Sequence, residues 1–204
     1  MAQSQATPEV GRVPLGFGPA HLKLADQVLS AAAGLRKGLA SEGPLPTRHD
    51  IRLLVEELVE VLFPESHRMG SNGGSLREHV AANIAELQSR LQTAVFLGLH
   101  RRCRAGTAHP PDACRRRAAA ITDRLLHSLP EIRAELGRDV LAAFESDPAA
   151  SGIDEIVACY PGLYAIAIYR VAHRLRRDGA QVVPRMLTEH AHSRTGIDIN
   201  PGAT

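Results

Sequence analysis

Aromatic side chains are scarce in this sequence, with three Tyr, four Phe and no Trp among 204 residues. A core without them must be filled by Leu, Ala, Val and Ile, which suits close-packed helices better than a sandwich of twisted sheets. No run of 18 apolar residues occurs, so no membrane-spanning helix is expected. The opening MAQSQATPEVGRVPLGFGPA has no basic stretch followed by an apolar one and does not read as a secretory signal. Cysteine is sparse and odd in number, three in all, which in a chain without a signal points to reduced thiols and a cytoplasmic location. Lysine is almost missing: Lys23 and Lys37 are the only two, and the other basic residues are Arg. The formal net charge of +2 calls for no polyanionic partner, so neither nucleic acid nor a membrane surface is expected.

The chain does contain apolar positions at helical spacing, separated by Gly and Pro. Residues 1–19 carry no periodicity and read as a flexible tail. From 20 to 39, Leu22, Leu24, Val28, Leu29, Ala32 and Leu35 recur as on a helix, which SEGPLPT then breaks. RHDIRLLVEELVEVLFP places Ile51, Leu54, Val55, Leu58 and Leu62 on one face and stops at Pro64, before the connector HRMGSNGGS. Ser75 followed by Glu78 is a capping-box pattern, and the helix it opens carries Val80, Ile84, Leu87, Leu91 and Val95 to about Arg102. Pro111 suits an early helix position ahead of DACRRRAAAITDRLLHSL, and Pro130 is read as starting another helix, EIRAELGRDVLAAFESD. DPAASGIDEIVACYPG holds short helical pieces; LYAIAIYRVAHRLRRDG is a helix ending at Gly179, and VPRMLTEHAHSRTG ends at Gly196, which suits a left-handed cap. No repeat period runs through the first 196 residues.

Few side chains stand out as chemistry. His100, Cys103, His109 and Cys114 match no structural zinc spacing, so no metal is expected and the cysteines read as small buried or semi-exposed thiols. Cys159 has no partner signature around it. The stretch 100–117 holds Arg101, Arg102, Arg104, Arg115, Arg116 and Arg117 against Asp112, which reads as a helix C-terminus and a solvated face. A nucleic-acid binder built on those arginines is the weakest alternative. His190 and His192, two apart on a helix, do not share a face. Ile166, Arg170 and His173 do share one, and a polar pair on an apolar helix needs partners. At the end, Ile199-Asn200-Pro201-Gly202-Ala203-Thr204 fits one hexapeptide unit of a parallel β-helix, an aliphatic residue, a turn and a small residue four positions on.

Two long stretches, DPAASGIDEIVACYPGLYAIAIYRVAHRL and VVPRMLTEHAHSRTGIDINPGAT, resemble the junction region of bacterial serine O-acetyltransferases, hexapeptide-repeat acyltransferases. The resemblance is close over the last quarter of the chain. It implies a mostly α, multi-helix N-terminal domain over 20–196, with 197–204 a short extended stub where a left-handed parallel β-helix would begin. It also implies transfer of acetyl from acetyl-CoA, a co-substrate and not a bound cofactor, to L-serine on the way to cysteine. By the same resemblance Asp198 falls on the aspartate that orients the catalytic His, Asp147 on a serine-binding aspartate, and Arg170 and His173 on supporting positions. Asn200 departs from the family's usual His. The family's catalytic His lies one coil further on, so the 204-residue chain is expected to be inactive alone. Trimers paired through helical domains are implied as the mode of self-association, and a sulfhydrylase partner is not expected without the family's C-terminal tail. The alternative is a helical oligomerisation module that catalyses nothing.

Overall fold

The computed structural model describes residues 18–31, 34, 43–66, 75–105 and 110–203. They form seven α-helices: α1 (Pro19–Ala31), α2 (Arg48–Leu62), α3 (Leu76–Ala105), α4 (Pro111–Ser146), α5 (Ile153–Cys159), α6 (Pro161–Arg177) and α7 (Val182–Thr195). One 3-10 turn, Pro64–Ser66, follows α2. No strand occurs among the described residues, in line with the mostly α expectation.

The chain divides into two units, residues 1–40 and 41–204. In the first, α1 carries Leu22, Leu24, Val28 and Leu29, and every one of them is exposed. Ala32 and Leu35, the tail up to residue 17 and the connector residues 67–74 lie outside the described residues.

In the second unit α6 packs against α7 and α4, α3 against α4 and α2, and α7 against α2. The core is aliphatic, as the composition requires. Leu54, Leu58, Leu87, Leu91, Ile121, Leu125, Leu136, Ile156, Ile168 and Leu175 are all fully buried. Ala118, Ala167 and Ala172 are buried among them, small enough to let helices approach closely. The Ser75 capping box forms as read from sequence, with Ser75 N–H donating to Glu78 and Glu78 N–H to Ser75 Oγ. A second box opens α2, between Thr47 and Asp50, with N–H···O distances of 2.8 and 3.1 Å.

Pro130 does not start a new helix: α4 runs unbroken from Pro111 to Ser146 with Pro130 inside it. Proline removes one backbone donor and crowds the preceding turn. Here its ring is exposed, and Leu125, Leu129, Ile132 and Leu136 pack into the core on both sides of it. Burial of those four side chains outweighs one lost hydrogen bond. Arg133, one turn later, donates to the Leu62 carbonyl at 2.7 Å and to Glu65 at 2.6 Å, covering an otherwise unpaired carbonyl at the end of α2.

The turns around α6 and α7 use glycine for its left-handed freedom, Gly179 at φ +99° and Gly196 at φ +73°. Gly196 N–H donates to His192 O at 2.8 Å and ends α7. No single helix among the described residues is long and apolar enough to cross a membrane. α5 and α6 together match such a span by length and composition, but they meet at 69° and the apolar side chains of α6 are core.

Candidate functional site

Asp147 is the C-cap of α4, where the helix carbonyls make the potential negative and a carboxylate is unwelcome. Its own surroundings reverse that. Oδ1 accepts the Ala149 N–H at 2.9 Å, closing an Asx turn, and Oδ2 accepts the Tyr160 O–H at 2.6 Å. The backbone carbonyl of Asp147 accepts the Ala150 N–H at 3.1 Å. The phenol first, and the Ala149 amide second, hold the Asp147 carboxyl below its ordinary value. By the same bond the Tyr160 phenol is pushed up to about 12. A carboxylate offers about four lone-pair directions, so two internal donors leave capacity for a ligand.

The two shifts bound the pair's pH window. The Asp147 contribution is present above the unfolded carboxylate value and is lost as pH falls through the lowered folded one. The Tyr160 contribution is present below the ordinary 10.0 and is lost as pH rises through about 12. An ultraviolet titration is therefore expected to show Tyr160 ionising late, and Asp147→Asn to return it towards the ordinary range. Tyr164, raised by burial, stays late in both proteins. An unchanged Tyr160 in the variant would remove Asp147 as the cause.

Past Gly196 the backbone leaves the helix, and Ile197 N–H donates to Thr195 Oγ1 at 3.1 Å. Side chains then alternate: Ile197 and Ile199 are half-buried, Asp198 and Asn200 exposed. Asn200 Oδ1 accepts Gly202 N–H at 2.8 Å and its carbonyl accepts Ala203 N–H at 2.9 Å, so Asn200–Ala203 is a β-turn around a buried Pro201. Asp198 shares no hydrogen bond or ion pair with Asp147 or with any imidazole among the described residues.

Arg170 and His173, grouped on one face by their spacing, turn to different partners. Arg170 lies between α6 and α4, bound to Asp139 at 2.8 Å and to Glu135 at 2.5 Å. His173 Nδ1 meets the Pro201 carbonyl at 3.1 Å. Tyr160 and Tyr169 went unassigned from sequence, although both lie in the quoted motif. Tyr160 precedes a proline at the start of α6, and Tyr169 sits one turn before His173.

Cys114 is buried and Cys159 exposed. Arg115 pairs with Asp112 at 3.2 Å and covers the Phe96 ring. Arg101 and Arg117 reach the Gly43 carbonyl and the Gly179 turn, while His109 and the side chains of Arg102, Cys103 and Arg104 lie outside the described residues. His190 is half-buried in a cleft between α2 and α7 with Arg48, Arg185 and Glu189; burial first, and Arg194 second, push its imidazole below the ordinary value. His192 is exposed. No group of three or more His, Cys, Asp or Glu among the described residues is arranged to hold a metal.

No protein-family model matches the chain. Curated relatives do. The plasmid serine acetyltransferase of Synechococcus elongatus is 36% identical over 163 residues, 78% of this chain and 51% of that protein. The serine acetyltransferase of Mycobacterium tuberculosis is 45% identical over 65 residues, 32% of this chain and 28% of that one. Among solved structures, Entamoeba histolytica serine acetyltransferase 1 in complex with L-cysteine superposes with a TM-score of 0.61 at 30% identity, covering 74% of this chain and 50% of that one. The chain thus spans about half the length or less of the relatives it matches. Sequence and fold together place it in the serine acetyltransferase family, as a match to the N-terminal part of its members.

Proposed function

We propose that the chain is the helical part of a serine O-acetyltransferase, which transfers acetyl from acetyl-CoA to the L-serine hydroxyl and releases CoA. The observation that carries this reading is Asp147: an ionised carboxylate, fixed on two sides by Ala149 and Tyr160, in the Asp-Pro-Ala-Ala turn shared with that family. Asp147 binds serine. Asp198 steadies an imidazole base, which takes the hydroxyl proton as the serine oxygen attacks the thioester carbonyl and the thiolate leaves. No imidazole among the described residues hydrogen-bonds Asp198, so the base belongs to a segment other than these.

The test joins residues 1–203 to the remaining C-terminal half of the Synechococcus relative and follows the CoA thiol. Serine-dependent CoA release is expected from the chimera and none from the 204-residue polypeptide alone. A chimera that melts cooperatively but releases no CoA overturns the reading. Release by the 204-residue polypeptide alone overturns the assignment of the base.

The exposed side of α1 favours a second reading, a helical module for self-association. Leu22, Leu24, Val28 and Leu29 are 49–64% exposed on one half of the helix circumference. Sedimentation of the chain is expected to show concentration-dependent oligomers that Leu22→Glu with Val28→Glu dissociates; a monomer at every concentration rules the module out.

A further inference from the structure

We propose that Tyr169 and His173 are positioning residues that latch the 197–203 segment onto α6 and thereby set where Asp198 points. The two side chains lie at i and i+4, on one face of α6, with their rings 5.6 Å apart. Tyr169 O–H donates to the Ala203 carbonyl at 2.7 Å, and His173 Nδ1 meets the Pro201 carbonyl at 3.1 Å. One turn of helix thus grips two carbonyls of one β-turn. Arg176 closes the third side: its guanidinium lies so near Gly202 that a Cβ there would stand 2.9 Å from Nε.

The latch matters because the segment it holds alternates. In an extended chain a slip of one residue sends every side chain to the opposite face. Such a slip here would expose Ile197 and Ile199 and turn Asp198 and Asn200 inward. α7 fixes the segment at one end through Gly196 and Thr195. The latch fixes the other, so the three residues Ile197–Ile199 are held in one register between them.

The grip also decides a tautomer. A carbonyl oxygen only accepts, so the proton of the neutral His173 ring sits on Nδ1 and the lone pair on Nε2. The consequence for catalysis rests on the acetyl-transfer reading above. The latch does not, and its test uses the 204-residue chain without any activity.

In the 15N-labelled chain, the His173 ring is expected to give the nitrogen shift pattern of an Nδ1–H imidazole. The Ala203 amide, bonded within the turn, should exchange more slowly than an open-chain amide. His173→Leu combined with Tyr169→Phe is expected to speed Ala203 exchange about tenfold or more, the loss of roughly one hydrogen bond's worth of protection. The shifts of Ile197, Asp198 and Ile199 should move to open-chain values while the α4 and α6 signals remain. His173→Asn should restore most of the protection, since its side-chain N–H lies about where Nδ1–H does. Tyr169→Phe alone, which removes one oxygen from an exposed position, gives the partial effect if the double variant fails to fold. An Nε2–H ring in the wild-type chain overturns the proposal. Ala203 exchange within twofold of wild type in the double variant, or in Tyr169→Phe should the double variant not fold, overturns it as well.

Discussion

Asp147→Asn, made in the chimera with the Synechococcus C-terminal half, is expected to lower kcat/KM for L-serine by about ten- to 150-fold. The figure follows from losing an ionised hydrogen-bond partner worth roughly 1.5–3 kcal/mol, at about 1.4 kcal/mol per tenfold. Asn preserves the shape of the side chain, and its single oxygen can still accept from Ala149 or Tyr160, so the turn stays closed. What disappears is the charge. If the carboxylate only holds serine in place, KM rises and kcat stays; if it also steadies the attacking hydroxyl, kcat falls too. Tyr160→Phe is the matching control. It leaves Asp147 charged but frees Oδ2, and its effect should be only a few-fold. Steady-state kinetics over a range of serine concentrations checks both, and an Asp147→Asn chimera as active as its parent would leave this carboxylate without a role in binding.

Leu136→Ala is expected to be strongly destabilising. Leu136 is fully buried in α4, between Glu135 and Asp139, the two carboxylates that hold Arg170. Removing a buried isobutyl group costs about 2–5 kcal/mol, including the cavity it leaves. Against a whole-domain stability of about 5–15 kcal/mol that is a large share. For a unit of this size each kcal/mol lowers Tm by roughly 2–4 °C, so a drop of about 5–15 °C in a circular-dichroism melt is the expected result. Leu141→Ala, on the same helix but 50% exposed, should move Tm by no more than about 2 °C, since surface changes stay within roughly 0.5 kcal/mol. Equal shifts for the two would show that α4 does not pack as described.

The helices were legible because their cores are regular. Ile51, Leu54, Val55 and Leu58 mark a buried stripe by spacing alone, and all four are buried. Ser75 and Glu78 announced their cap because both partners lie within one turn. Thr47 and Asp50 carry the same local signal and form the same box. Pro130 misleads for the opposite reason. Its local preference is to break a helix, while the side chains that override it reach residues far along the chain. Arg170 and His173 show the same limit at the site. Spacing put them on one face, but their partners lie 31–35 and 28 residues away in sequence, where no periodicity reaches. Asp147 was found through the motif that contains it, and Tyr160, thirteen residues on, supplies the bond that only the fold could reveal.

The scarcity of aromatics has a practical corollary. All three tyrosines sit within ten residues, and each is fastened to a different neighbour: Tyr160 to a carboxylate, Tyr164 beneath the Arg194 guanidinium, Tyr169 to the Ala203 carbonyl. With no indole to outshine them, the tyrosine emission of the whole polypeptide originates from this one neighbourhood. A phenol bonded to a carboxylate emits weakly, so loosening the Asp147 turn brightens the molecule while the remote helices stay optically silent.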